Sequence, residues 1–332
     1  MGDVAMTVPV IRAFVAQNPH VEITFVSRSF FKPFFENCKN VHFFDVDLKV
    51  RHKGFIGLLK LFFDLKRLNI DAFVDLHNVL RSKIVRTLFA LSGTKTAFTN
   101  KGRKEKKQLT RANNKVFKPL KTMIDRHVET FAKLGFFIDL GLPHFVEKTI
   151  LSDEILSVSG SKNDFKWIGI APFAQYQSKV YPTDLMQHVI DGLAVHPQNK
   201  IFLFGGGTKE IEILNQFAKQ NVNVIVIAGA LNLQNELCLI SNLDVMLSMD
   251  SGNAHIAAML HIPVVTLWGA THPYAGFAPF NQPLQNCITS DKVLYPLLPT
   301  SVYGNKFVAG YENVMRTISA AHVINKVTSF LQ

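Results

Sequence analysis

Short runs of β-branched and aromatic residues alternate with helical stretches along most of this chain, and the alternation restarts once. That rhythm leaves few folds open besides a parallel sheet with helices on its faces. In the first half, Val21 to Ser27, Val41 to Val46 and Ile70 to Leu76 read as strands, with helices near Phe30 to Glu36, Gly54 to Arg67 and Asn78 to Leu91. A helix around Ile124 to Leu134 precedes Gly135, Gly141 and Pro143, and the stretch from there to Asp164 reads as an interdomain linker. In the second half the strands are Trp167 to Pro172, Ile201 to Gly205, Val222 to Ala228, Leu243 to Met249 and Val264 to Gly269. Helices are expected near Thr183 to Ala194, Lys209 to Lys219, Leu233 to Ile240, Asn253 to Leu260 and Gly310 to Phe330. No repeat is visible beyond the shared alternation. The expected architecture is α/β, two doubly wound Rossmann-like domains (1–150 and 151–332) facing a cleft, with ligands at the carboxyl ends of the strands. The last helix is expected to return onto the first domain.

The front of the chain breaks the rhythm. Met1-Gly-Asp-Val-Ala-Met-Thr-Val-Pro opens on a glycine turn and a helix whose Val4, Val8, Ile11 and Val15 keep helical spacing, with Pro9 tolerable near the first turn. A strand should precede it. The first strand of a doubly wound sheet is central, so the expectation is a natural start about 5 to 10 residues upstream.

Composition bounds the class. A chain of 332 residues, 48% hydrophobic and 18% charged, is long enough for two domains and too apolar for disorder. Its apolar runs break well before the ~18 residues of a membrane span, and no secretion signal opens it. Cys38, Cys238 and Cys287 are scattered, which argues against a disulfide framework or structural zinc and suits a reducing cytoplasm. Residues 1–150 carry 26 Lys and Arg against 13 Asp and Glu, whereas the remainder carries 10 against 12. The basic half should therefore face an anionic partner. Lys101, Arg103, Lys104, Lys106, Lys107 and Arg111 form its densest cluster, in what reads as a loop. The cluster lacks the interleaved aromatics of a single-strand binder, and no DNA-binding module is evident, so nucleic acid is not expected as a partner. An anionic glycolipid or the inner-membrane surface fits the charge at least as well. The stretch Arg51 to Arg67, apolar with basic flanks, is weighed as a membrane contact but reads first as a sheet-packing helix.

The segment Ser248-Met-Asp-Ser-Gly-Asn-Ala-His255 places an acid, a glycine and a histidine where a strand hands over to a helix. A helix N-terminus offers unpaired N–H groups and a positive dipole end, and Gly252 lets a ligand approach the backbone. A plain capped turn is the alternative. Asp45-Val-Asp47 looks like a metal-binding D-x-D but more simply ends a strand, and no metal or cofactor is assigned.

Together these pieces resemble the ADP-heptose:lipopolysaccharide heptosyltransferase family, glycosyltransferase family 9 with the GT-B fold. The resemblance rests on the opening Gly2-Asp3 motif, Gly169-Ile-Ala-Pro with Lys179 and Pro182, Phe204-Gly-Gly-Gly-Thr-Lys-Glu210, Asp250-Ser-Gly-Asn-Ala-His255, and Gly269-Ala-Thr-His-Pro273. It implies a metal-independent, inverting transfer of a heptose or related sugar from an ADP-sugar donor to a lipopolysaccharide inner-core acceptor. It implies Asp3 as general base, where capping the first helix is the plainer role. Lys179 would neutralise the donor phosphates, although a lone lysine more often sits in a solvated loop. Glu210, Asp250, Ser251, Gly252 and His255 would bind the donor, with Thr271 and His272, in the loop after the last strand, as weaker candidates. His77, Arg81, Lys101 and Arg103 would meet the anionic groups of a lipid-linked acceptor. The implied location is the cytoplasm, at the inner face of the inner membrane. A sugar-nucleotide epimerase of the same fold and a non-catalytic glycolipid-binding relative are the alternatives.

Overall fold

In the computed structural model, which describes residues 1–331, the alternating pattern becomes strands and helices in nearly the expected order. The chain opens with α1 (Gly2–Ala5) and α2 (Val8–Gln17), followed by β1 (Ile23–Ser27), β2 (Val41–Asp45), α3 (Gly54–Lys66), β3 (Ala72–Asp75), α4 (Leu80–Leu91) and β4 (Lys95–Phe98). Then come α5 (Arg103–Thr110), α6 (Met123–Ala132) and α7 (Asp153–Ser159). The second half runs β5 (Lys166–Ala171), α8 (Thr183–Ala194), β6 (Asn199–Leu203), α9 (Thr208–Ala218), β7 (Val224–Val226), α10 (Leu233–Ile240), β8 (Val245–Met249), α11 (Gly252–Met259), β9 (Val264–Trp268), β10 (Cys287–Thr289) and α12 (Ala320–Thr328). The contacts divide these into two units. One holds Met1, Asp3–Arg103 and Lys121–Phe145, and the other Gly2, Lys104–Leu120 and Val146 onwards.

In the first unit the strands form two separate parallel pairs, β1 with β2 and β3 with β4. One apolar layer joins them: Leu58, Leu61, Phe62 and Leu65 of α3 and Val85 and Phe89 of α4 pack with Val26, Phe44 and Phe73 from β1, β2 and β3. Phe73 and Phe89 stack at 5.0 Å. The helical spacing read at the front buries Val8, Ile11 and Val15 of α2, together with Phe14, which meets Phe131 of α6 at 4.6 Å.

The second unit carries a six-stranded parallel sheet in the order β10-β9-β8-β5-β6-β7. β5, β8 and β9 are buried along nearly all their length, as expected of strands covered by helices on both faces. The order reverses between β8 and β5. That reversal is the topological switch point where a doubly wound sheet opens a crevice at its carboxyl ends.

Three expectations change. The basic stretch read as a loop at 101–111 is largely the helix α5, since Arg, Lys, Glu, Gln and Leu are good helix formers and Gly102, at φ +60°, supplies the turn before it. α5 is anchored by buried Leu109 and by Lys106, whose ammonium lies 4.0 Å from the Phe277 ring centre. The linker holds the short helix α7, capped by the Ser152 side chain. The last helix is α12 alone, preceded by a 3₁₀ turn at Val314–Thr317. It packs on α8 within the second unit: a Cβ at Gly192 would meet Ile324 at 2.5 Å. Strands β4 and β10, four and three residues long, carry too little pattern to be read in sequence.

Candidate active site

At the carboxyl ends of β5, β8 and β9 the second unit gathers three side chains that lie far apart in sequence. Asp250 follows β8, Lys179 lies in the 3₁₀ turn Gln177–Lys179 after β5, and Thr271 follows β9. Lys179 Nζ is 3.1 Å from Asp250 Oδ2, and the two side chains are 12% and 9% exposed. Thr271 Oγ1 donates to the same oxygen at 2.8 Å. A largely buried ion pair with an extra hydrogen bond holds its geometry well, and its lysine offers a fixed positive charge where an anion can compete for it.

Two glycines make this placement possible. A Cβ on Gly269 would lie 2.4 Å from the Ser178 carbonyl oxygen, so the lysine turn can close on the end of β9 only over a glycine. Gly304, at φ +85°, lies under the Lys179 side chain, and a Cβ there would come within 2.7 Å of its methylenes. Ser178 completes the clamp: its hydroxyl donates to the Gly304 carbonyl at 2.6 Å, and its own carbonyl accepts from Ala270 N at 3.1 Å.

Ser251 is the extended N-cap of α11, which begins at Gly252, and its hydroxyl lies 3.1 Å from that of Ser248. Backbone N–H groups at this helix start therefore stand beside Asp250 and Lys179. His255 lies one turn into α11 and is buried. Glu210 sits in the first turn of α9, where its Oε2 accepts the Gly206 N–H at 2.8 Å and tethers the glycine loop. His272 has a packing role. Its Nδ1 accepts from Tyr274 N at 3.1 Å, its ring meets Phe117 and Tyr274, and burial, with Lys292 nearby, pushes its pKa down to about 4.

The first unit gathers a second group. Asp3 lies in α1, with Oδ2 3.5 Å from His77 Nε2. Hydrogen bonding to His77 is the main cause that holds the Asp3 carboxyl at about 2, below its ordinary 3.8. Burial opposes the shift, while Lys101 and the terminal amino group reinforce it. Lys101 is itself pushed down from its ordinary value by burial, with Asp3 acting in the opposite sense. His77 owes its position to a locked turn. Buried Asp75 accepts from Asn78 N at 2.6 Å and from Arg86 Nη1 at 3.1 Å, and Asn78, at φ +44°, donates to the Thr99 carbonyl at 2.8 Å. Gly102 makes room for the buried Arg126 guanidinium, which holds the Asn100 carbonyl beside Lys101. Arg81 is exposed in the first turn of α4, and Arg103 is exposed at the start of α5. Asp45 and Asp47 accept from backbone N–H groups, of Ser29 in one case and of Lys49, Val50 and Arg51 in the other.

The His77 contact makes its own prediction. His77→Ala should let the Asp3 pKa rise from about 2 towards 3.8, followed by carboxyl-carbon NMR titration; an unmoved value would show that other charges hold it down.

Two parallel α/β units of this kind match solved GT-B glycosyltransferases. A family 9 glycosyl transferase from Veillonella parvula superposes with a TM-score of 0.75 at 19% identity, covering 100% of this chain and 94% of its own. The E. coli heptosyltransferase WaaC, solved with ADP, gives 0.69 at 18% identity, covering 99% and 97%. The fold is therefore that of the GT-B glycosyltransferases. The profile of glycosyltransferase family 9 (heptosyltransferase) matches residues 58–295, and the chain belongs to that family. Among curated relatives, the lipopolysaccharide core heptosyltransferase OpsX of Haemophilus influenzae is 26% identical over 294 residues, 87% of this chain and 81% of that protein. Lipopolysaccharide heptosyltransferase 1 of Campylobacter coli is 24% identical over 249 residues, 68% and 69% of the two chains.

Proposed function

We propose that this enzyme moves a heptose, or a closely related sugar, from an ADP-sugar to an inner-core lipopolysaccharide acceptor, inverting the anomeric centre. The observation that carries the reading is the Lys179, Asp250 and Thr271 cluster beside the α11 N-terminus, at the switch point of the second unit. Residues 151–332 form the donor domain on this reading, and residues 1–150 the acceptor domain. The acceptor hydroxyl gives its proton to Asp3 as its oxygen bonds to the anomeric carbon. The anomeric bond to the diphosphate breaks with both electrons leaving on ADP. Lys179 and the α11 N–H groups stabilise that departing charge. Asp250, Ser251, Gly252, His255 and Thr271 frame the donor, with Glu210 at the nucleoside. His77, Arg81, Lys101 and Arg103 take the acid groups of the lipid-linked acceptor. The enzyme works at the cytoplasmic face of the inner membrane as a peripheral protein. Among the described residues, no helix is long and apolar enough to cross a membrane.

Calorimetric titration with ADP, UDP, GDP and CMP tests the donor side. The wild-type protein should select ADP, and Lys179→Ala should weaken it by roughly 10- to 100-fold through loss of a charge-assisted contact. Preference for another nucleotide would redirect the donor assignment. No binding of any nucleotide would favour a non-catalytic relative.

A further inference from the structure

Helix α3 has two apolar faces and uses one of them to hold the fold. Leu58, Leu61, Phe62 and Leu65 are buried in the first unit's core. On the adjoining arc of the helix, Phe55, Ile56 and Phe63 are 64%, 70% and 58% exposed. At about 100° per residue these three fall within roughly one quarter of the helix circumference, and half-buried Leu59 lies between them. Such a row of large exposed apolar side chains marks an interaction site.

The rim of the row is basic. Lys60, Lys66 and Arg67 flank it on the helix and just past its end, and Lys49 and Lys53 stand in the turn before it, beside Val50 at 79% exposure. The helix's single acid, Asp64, is held by Arg51 Nε and Nη2 at 2.8 Å and also meets His52 at 3.2 Å and Arg67 at 3.6 Å. An apolar centre inside a cationic border is the surface chemistry of a helix lying in the interface of an anionic bilayer. A second copy of this chain fits poorly, because it would set the same cationic border against itself.

We propose that this face of α3 seats the enzyme on anionic lipid. Phe55, Ile56 and Phe63 enter the headgroup and acyl boundary, and the lysines lie at phosphate level. The inference deepens the lipid-linked acceptor reading and rests on it for its biological role; its geometry stands on α3 alone. Arg51 and Asp64 fix the turn that delivers the chain into the helix, so the exposed row is presented by a rigid element.

Sedimentation of the full chain with phosphatidylethanolamine vesicles, with and without phosphatidylglycerol, tests it. The wild-type protein should pellet with the anionic vesicles, bind the neutral ones at least about tenfold more weakly, and be released by salt. The combined Phe55→Ser, Ile56→Ser and Phe63→Ser variant should lose vesicle binding by roughly tenfold or more while keeping its circular dichroism and wild-type nucleotide affinity. Lys60→Gln with Lys66→Gln should lose less binding and show a shallower salt dependence. Equal binding to both vesicle compositions overturns the proposal, as does a serine variant that binds like wild type. A wild-type dimer that the serine variant converts to monomer in sedimentation velocity also overturns it, assigning the face to a second copy. Vesicle binding contains no nucleotide, so failure of the ADP titration and failure of this test are read separately.

Discussion

Replacing Asp3 by asparagine is expected to lower kcat by about 10²- to 10⁴-fold, with KM for the ADP-sugar within about twofold of wild type. An amide keeps the size of the carboxylate and can still accept from His77, so α1 and the locked turn at Asp75 should survive. It cannot take the acceptor proton. Steady-state kinetics with donor and acceptor both varied is the measurement, and a kcat within about tenfold of wild type would leave Asp3 as an acid in the first turn of α1 and nothing more.

The pH dependence has a definite sign. The Asp3 pKa is depressed from 3.8 to about 2, chiefly by His77, so the ionised base is present at every pH well above 2. Activity governed by Asp3 falls only as pH drops through that low value, and any acid limb at higher pH belongs to another group. The same depression stabilises the fold above the unfolded value of 3.8 and is lost as pH falls from there through about 2. The carboxylate's side chain is 68% exposed, so solvent screening leaves that contribution small.

Much of this arrangement is legible in the sequence because it is written in local pattern. β8, α11 and β9 follow from buried apolar runs around Asp250, and α8 and α10 end where their caps and turns say they should. What is not legible is set by distance. Gly304 lies 125 positions from Lys179 in a plain turn, and nothing near it signals that the lysine side chain must pass over it. The Asp75 and Arg86 pair that fixes His77 is visible only once α4 brings the guanidinium back over β3. α5 was hidden by its own charge: six basic residues suggest a solvated loop, yet the long aliphatic stems let Lys106 lie on Phe277 and become buried. The second apolar face of α3 was obscured in the opposite way. A helix apolar on nearly every side looks simply buried until its packing shows that one side has no core to meet.

Asp250→Asn is expected to separate two roles that ordinary loss-of-function variants merge. The amide oxygen can still accept from Thr271, but the carboxylate charge beside Lys179 is gone, leaving a largely buried ammonium with only a dipole for a partner. That state is costly in the empty protein, by about 1 to 3 kcal/mol, so Tm should fall. A diphosphate supplies the missing negative charge, so ADP should bind about 3- to 10-fold more tightly than to wild type, and the thermal loss should be recovered as ADP saturates the site. Turnover should move the other way, by about 10²- to 10³-fold in kcat, because the acid proposed to hold the donor sugar is absent. Calorimetry, thermal unfolding with and without ADP, and kinetics on the same preparation decide it. If ADP affinity drops as far as it does in Lys179→Ala, the carboxylate acts by positioning the lysine for phosphate. If affinity rises while kcat falls, Asp250 competes with the diphosphate for Lys179 and also serves the sugar during transfer.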